Sequence, residues 1–254
     1  MADYIIDRWQ FLQSWTRLKT NDTILVKAEG TMDNVTIPHD VASVTLEEGA
    51  YLTEGLKTGK ELTILGPVYE YFSGSPSFYL TLDFTERTTE EPIMISDWSL
   101  LNVNAFVSLC VRPSQGEGTY RLIGNAADFS KTVTVSYPGN IQLGTFSLDA
   151  PEFDYGIKHY TLSLNEADEL CMTVSTSIPE GAKILCFKEG QLVDDSLTFA
   201  YDYVMPTATF DQLVVLSGGK ADGIRMNTGS LITVLNGGVA NGITIVNGTL
   251  DPQW

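Results

Sequence analysis

Along most of the chain, apolar and polar residues change places at every second position, the period of a half-buried strand. Ile24-Leu-Val-Lys, Val35-Thr-Ile, Val44-Thr-Leu, Tyr51-Leu-Thr and Glu61-Leu-Thr-Ile-Leu are short β-rich runs, most of them separated by glycine or acidic turn residues. Their spacing of about 8–12 residues fits a sandwich or the short faces of a parallel β-helix. Strand signals resume at Ile93-Met-Ile and Ala105-Phe-Val-Ser-Leu-Cys-Val. From Tyr120 to Val174 the runs lengthen and read as hairpins, as in Tyr120-Arg-Leu-Ile, Thr132-Val-Thr-Val, Tyr160-Thr-Leu-Ser-Leu and Leu170-Cys-Met-Thr-Val.

Three segments depart from this alternation. Between Asp7 and Leu18, the residues Trp9, Phe11, Leu12, Trp15 and Leu18 recur at helical spacings, which predicts an amphipathic helix capping the first strands. The aromatic-rich stretch from Tyr69 to Thr89 predicts a hairpin or loop packed on the flank, and Ser114-Gln-Gly-Glu-Gly-Thr119 a linker.

Self-similarity near the C-terminus decides the architecture. Val215-Leu-Ser-Gly-Gly-Lys-Ala-Asp-Gly-Ile aligns without a gap on Val234-Leu-Asn-Gly-Gly-Val-Ala-Asn-Gly-Ile, and Gly229 aligns on Gly248. Ile224 with Met226, and Ile243 with Ile245, alternate as one inward-facing strand; Leu213 with Val215, and Ile232 with Val234, form another. The Gly218-Gly219 and Gly237-Gly238 pairs fall between strands, where the backbone turns sharply. One such coil cannot bury its apolar face alone, whereas stacked coils set like residue over like. The same logic places Asp222 under Asn241 in a hydrogen-bonding ladder. The expected fold is therefore all-β: a right-handed parallel β-helix with an N-terminal capping helix and a more hairpin-like middle. Its expected divisions are 1–117, 118–176 and 177–254.

Composition narrows the function. With 32 acidic residues against 15 basic ones, the formal charge is −17, which repels phosphate backbones and anionic membranes, so no nucleic-acid partner is expected. Cys110, Cys171 and Cys186 are widely spaced in apolar company and read as core thiols, without zinc spacing. Neither a signal peptide nor an apolar run long enough to span a membrane is read in these residues.

The Ser217-Gly-Gly-x-Ala-x-Gly-Ile pattern, from Gln212 to Leu250, resembles the passenger repeats of autotransporter adhesins of the diffuse-adherence type, and residues 118–175 are more weakly similar to the β-modules accompanying them. The resemblance implies a right-handed parallel β-helix at a bacterial surface, and Ser217 as a candidate sugar acceptor. The barrel and export signal of that family are not matched.

Chemistry is sparse. His39 beside Asp40 reads as an exposed turn, since adjacent strand residues face opposite ways. His159 is the other histidine, and Phe72-Ser-Gly-Ser-Pro reads as a loop tip. The carboxylate groups Asp149, Glu152, Asp154 and Asp194-Asp195 are candidates for glycan cleavage, but such clusters are usually solvated corners. No catalytic, cofactor-binding or metal-binding residue is assigned. The expectation is a non-enzymatic, adhesin-like solenoid, secreted or on a bacterial cell surface. It would act by multivalent binding to a surface glycan or protein, or by self-association. The alternative is a β-helical polysaccharide depolymerase, with the aromatic stretch as a sugar platform.

Overall fold

The computed structural model describes residues 2–14, 16–71, 78–139, 141–195, 203–204, 210–226, 230–245 and 249–252. Every regular element among them is a strand. The chain forms two compact units, Met1–Phe153 with Tyr160–Val174, and Asp154–His159 with Ser175–Trp254.

The first unit opens as a solenoid with two strands per coil. Its strands are β1 (Asp3–Ile6), β2 (Phe11–Gln13), β3 (Thr23–Val26), β4 (Thr31–Ile37), β5 (Ser43–Leu46), β6 (Tyr51–Thr58) and β7 (Leu62–Ile64). Strands β1, β3, β5 and β7 pair in parallel to make one sheet, while β2, β4 and β6 begin another. Register sets like residues in columns. Ile6, Val26, Leu46 and Ile64 form one buried column, and Leu12, Met32 and Leu52 form its counterpart across the core. Each such side chain stabilises by roughly 1.5–3 kcal/mol on leaving water.

The capping helix expected over Asp7–Leu18 is not there. The corner that follows β1 and then strand β2 fill its place, and that corner is repeated twice. Trp9, Glu29 and Gly49 all have left-handed backbone, with φ of 64°, 63° and 83°. The N–H of Trp9 donates to Glu29 O over 3.1 Å, and the N–H of Glu29 to Gly49 O over 2.8 Å, so the corners are tied coil to coil. The helical spacing of apolar residues is incidental. Leu12 is 2% exposed, whereas Trp9 is 68% and Phe11 44% exposed. Strand pairing through β3 and β4 outweighs a local helical pattern that would bury one stripe and leave the β3 edge open. Trp15 lies outside the described residues.

At the opposite corner, buried Asp22 accepts from Ala2 N over 2.7 Å and Lys19 N over 2.8 Å. These backbone donors, Lys19 foremost, hold its carboxyl below the usual carboxylate range.

The second sheet continues with β8 (Val68–Glu70), β9 (Phe78–Asp83), β10 (Leu101–Asn102), β11 (Ala105–Cys110), β12 (Gly118–Ile123), β13 (Val133–Tyr137) and β14 (Ile141–Phe146), of which β12 belongs elsewhere. Its path is β10-β8-β6-β9-β11-β13-β14, parallel until the antiparallel β13–β14 pair. The described part of Tyr69–Thr89 is therefore not only a flanking loop, and residues 72–77 lie outside the described residues. The described part contains β9, a full rung whose Phe78, Leu80 and Leu82 are core. Longer excursions between rungs, such as residues 84–104, hide this from the sequence.

The expected linker at Ser114–Thr119 is also packed. Gln115 is fully buried and donates to Arg87 O over 3.3 Å, and buried Arg87 donates to Gly59 O over 3.3 Å and lies 5.8 Å from the Phe84 ring centroid. The remaining sheet of this region orders β12 with β15 (Glu152–Tyr155), β16 (Lys158–Leu164) and β17 (Leu170–Thr176), as β12-β17-β16-β15. The β12–β17 pair is antiparallel, in keeping with the hairpin-like reading of these residues.

The second unit is a solenoid with three short strands per coil. It comprises β18 (Ile184–Lys188), β19 (Gln191–Asp194), β20 (Tyr203–Val204), β21 (Gln212–Val215), β22 (Lys220–Asp222), β23 (Ile224–Met226), β24 (Leu231–Val234), β25 (Val239–Asn241), β26 (Thr244–Ile245) and β27 (Thr249–Pro252). The repeat strands stack in parallel as β21-β24-β27, β22-β25 and β20-β23-β26. Leu213, Val215, Ala221, Ile224 and Ile232 form the buried core, with Ile243 packed against it. The stacking read from the glycine repeat is thus the fold. Two further rungs, β20 and β27, extend it beyond the matching residues. An antiparallel strand, β18, lies along its first rung.

Candidate functional site

Residue parity along β9 and β11 builds an outward face. Phe78, Leu80 and Leu82, like Ala105, Val107 and Leu109, are buried, so Tyr79, Thr81 and Asp83, and Phe106, Ser108 and Cys110, point the other way. Parallel register then pairs Tyr79 with Phe106, Thr81 with Ser108 and Asp83 with Cys110, while Lys57 of β6 lies beside Thr81.

Side chains meet at two of these pairs, and Lys57 reaches past Thr81 to Asp83. The Tyr79 and Phe106 rings stack at 5.5 Å between centroids with 21° between planes, yet each remains 58% exposed. The hydroxyls of Thr81 and Ser108 are 2.8 Å apart. Lys57 Nζ lies 2.8 Å from Asp83 Oδ2. Asp83 also accepts from the Thr85 hydroxyl at 2.7 Å and its N–H at 3.0 Å. Burial alone would raise the Asp83 carboxyl, but the hydrogen bonds from Lys57 and Thr85 outweigh it and hold the group low. On Lys57, burial opposes the charge and the Asp83 contact more than restores it, so its pKa is raised. Cys110, at the end of the face, is buried, and burial pushes its thiol up, away from the reactive thiolate.

A second ring cluster lies on the same sheet. Phe11, Thr31, Tyr51 and Tyr69 share an outward column. Tyr71 contacts two of these rings edge-on, Phe11 at 6.0 Å and Tyr51 at 5.6 Å, and Tyr51 sits 6.4 Å from Tyr69. Thr31 beneath them is buried, while Phe11, Tyr69 and Tyr71 remain exposed. A β-bulge in β6, with Glu54 at φ 58°, separates this cluster from the Tyr79–Phe106 pair along the strand.

Of the residues singled out from the sequence, the structure brings His159 to Asp154 and Asn241 to Asp222. His39 and Asp40 occupy an exposed turn, where Thr20 donates to the Asp40 carboxylate. His159 Nδ1 lies 2.8 Å from Asp154 Oδ1. Asp149, Glu152, Asp154 and Asp195 are exposed. The three cysteines are free and buried, and burial pushes the Cys186 thiol up to about 12. Ser217 is exposed at its turn, and the Phe72–Pro76 loop tip lies outside the described residues. Among the described residues, no three His, Cys, Asp or Glu side chains gather as a metal site would need. The Asp222–Asn241 ladder is present, at 3.0 Å.

In the second unit, a groove of ≈ 670 Å³ opens beside Ile178, Pro179, Leu216 and Leu235. Among the described residues, Glu180 is the one carboxylate in its lining. The Tyr79–Phe106 pair was missed because its two strands are separated by an irregular excursion. The signal was an aromatic on the polar phase of each strand, in Phe78-Tyr-Leu-Thr-Leu and Ala105-Phe-Val-Ser-Leu.

No protein-family model, curated protein or solved structure matches the chain.

Proposed function

We propose that this chain is a non-enzymatic, adhesin-like segment of a secreted or surface bacterial protein, wound as the right-handed β-helix that the repeat resemblance implies. It works by contact along its outer face, where many weak interactions add through multivalency. The observation that carries this reading is the pair of exposed ring clusters on the nine-stranded sheet, fixed by buried neighbours on the opposite phase of the same strands. Pre-ordered rings lose little entropy on binding. The Asp83 carboxylate, on the same face as the Tyr79–Phe106 pair, is tied to Lys57 and Thr85, an arrangement for holding a ligand in place more than for transferring protons.

Display of the chain in many copies on beads or cells tests the reading. Clumping or attachment to a surface is expected, with no new reducing ends appearing when polysaccharides are supplied. Release of reducing ends would favour the depolymerase alternative, which would use the same rings as a platform. Displayed copies that neither clump nor attach would overturn both.

A further inference from the structure

We infer that the Tyr79–Phe106 face is a binding site for an uncharged, linear glycan. This rests on the adhesin-like reading and names its ligand class. A sugar ring has an apolar face of C–H groups and a rim of hydroxyls. The site has the matching halves: a stacked ring pair, each ring 58% exposed, and beside it a rim of hydroxyl, ammonium and carboxylate groups. A lysine ammonium carries three donors, and the Asp83 contact occupies one. The Thr81 and Ser108 hydroxyls each donate and accept, as sugar hydroxyls do.

Charge selects among possible occupants. Lys57 and Asp83, 2.8 Å apart, cancel each other's charge, so this pair offers hydrogen bonds without drawing a polyanion. The whole chain carries −17, which opposes a polyanionic ligand and equally opposes face-to-face pairing with a second copy. Geometry selects further. In-register stacking sets Tyr79 beside Phe106 and Thr81 beside Ser108 at the strand spacing of about 4.8 Å. Successive units of a linear polymer crossing the two strands therefore each meet a ring and a hydroxyl.

The experiment compares soluble mixed-linkage β-glucan, which is neutral, with polygalacturonate, which is polyanionic, by titration calorimetry on the full chain. Binding of the neutral polymer is expected, with affinity falling about tenfold in Tyr79→Thr and in Phe106→Thr. Threonine suits an outward strand position, and circular dichroism of each variant checks that the fold persists. Lys57→Gln should weaken binding less than either ring variant. Equal binding of both polymers, or neutral-polymer binding untouched in the folded ring variants, would overturn the inference. So would concentration-dependent self-association lost in the same variants. If displayed copies still adhere while neutral glycans fail to bind, the ligand class is wrong and the adhesin-like reading stands. If neither occurs, both fall.

Discussion

Asn241 donates its side-chain amide to the carboxylate of Asp222 over 3.0 Å, from one coil to the coil before it. The two residues are also register partners in the β22–β25 pair, so backbone and side chain make the same connection. A position that varies between Asp and Asn in the repeat is thus one ladder with a donor above an acceptor.

Replacing that donor by a second acceptor should show the ladder's worth. Asn241→Asp sets two carboxylates side by side and should lower stability by about 0.5 kcal/mol at neutral pH. The cost should shrink in acid, where two neighbouring carboxylates share a proton. Urea denaturation at several pH values measures both.

The paired glycines at the solenoid corner should respond differently to the same substitution. Gly218 has φ 76° and open space around an added Cβ, so Gly218→Ala should cost only the left-handed backbone penalty, about 1 kcal/mol. At Gly219 an added Cβ would lie 2.2 Å from Lys183 O, and backbone cannot yield as a side-chain tip does. Gly219→Ala should cost about 3 kcal/mol, the upper end of overpacking. Thermal melts of the two variants would separate these mechanisms.

Trp9 gives a test by sign. In a helix, Trp9→Gly would destabilise by about 0.5 kcal/mol. At a corner with φ 64° it relieves backbone strain, at the loss of the Arg8 guanidinium 5.2 Å from the indole centroid. The net expectation is a gain of about 0.5 kcal/mol. A loss of stability measured by denaturant titration would contradict the corner.

The Lys57–Asp83 pair should impose a pH window. Asp83 titrates below its ordinary value in the fold, so its contribution is present above the usual carboxylate pKa and is lost as pH falls through the lowered one. Lys57 titrates above its ordinary value, so its share is intact below the usual lysine pKa and is lost as pH rises through the raised one. Asp83→Asn should cost about 1 kcal/mol near neutrality, and the gap to the unaltered chain should close in strong acid. Parallel denaturation curves across pH would show it.

How much of this was legible depended on what repeats. The glycine corners at 218–219 and 237–238 are identical in type, and the stacked coils could be read from them directly. The N-terminal coils have the same corner filled by Trp9, Glu29 and Gly49, so one glycine in three marks it. Their core columns share apolar character without identity, as Leu12, Met32 and Leu52 do. With that repeat hidden, a chance helical spacing in Asp7–Leu18 was the strongest remaining pattern, and it misled. The ring face was half legible. Alternation assigns Tyr79 and Phe106 to the polar phase of their strands, but register between strands separated by residues 84–104 is set by tertiary packing that no local pattern encodes.

The most direct test of coil stacking is a disulfide across the ladder. Register partners one strand apart meet the Cα separation that a disulfide needs, whereas a pair displaced by two residues does not. The three native thiols are buried and should stay silent. Asp222→Cys with Asn241→Cys should lose two hydrogens on mild oxidation, seen by intact mass of the monomer, while Lys220→Cys with Asn241→Cys should not. An in-register pair that stays reduced, or a displaced pair that closes as readily, would contradict the parallel solenoid.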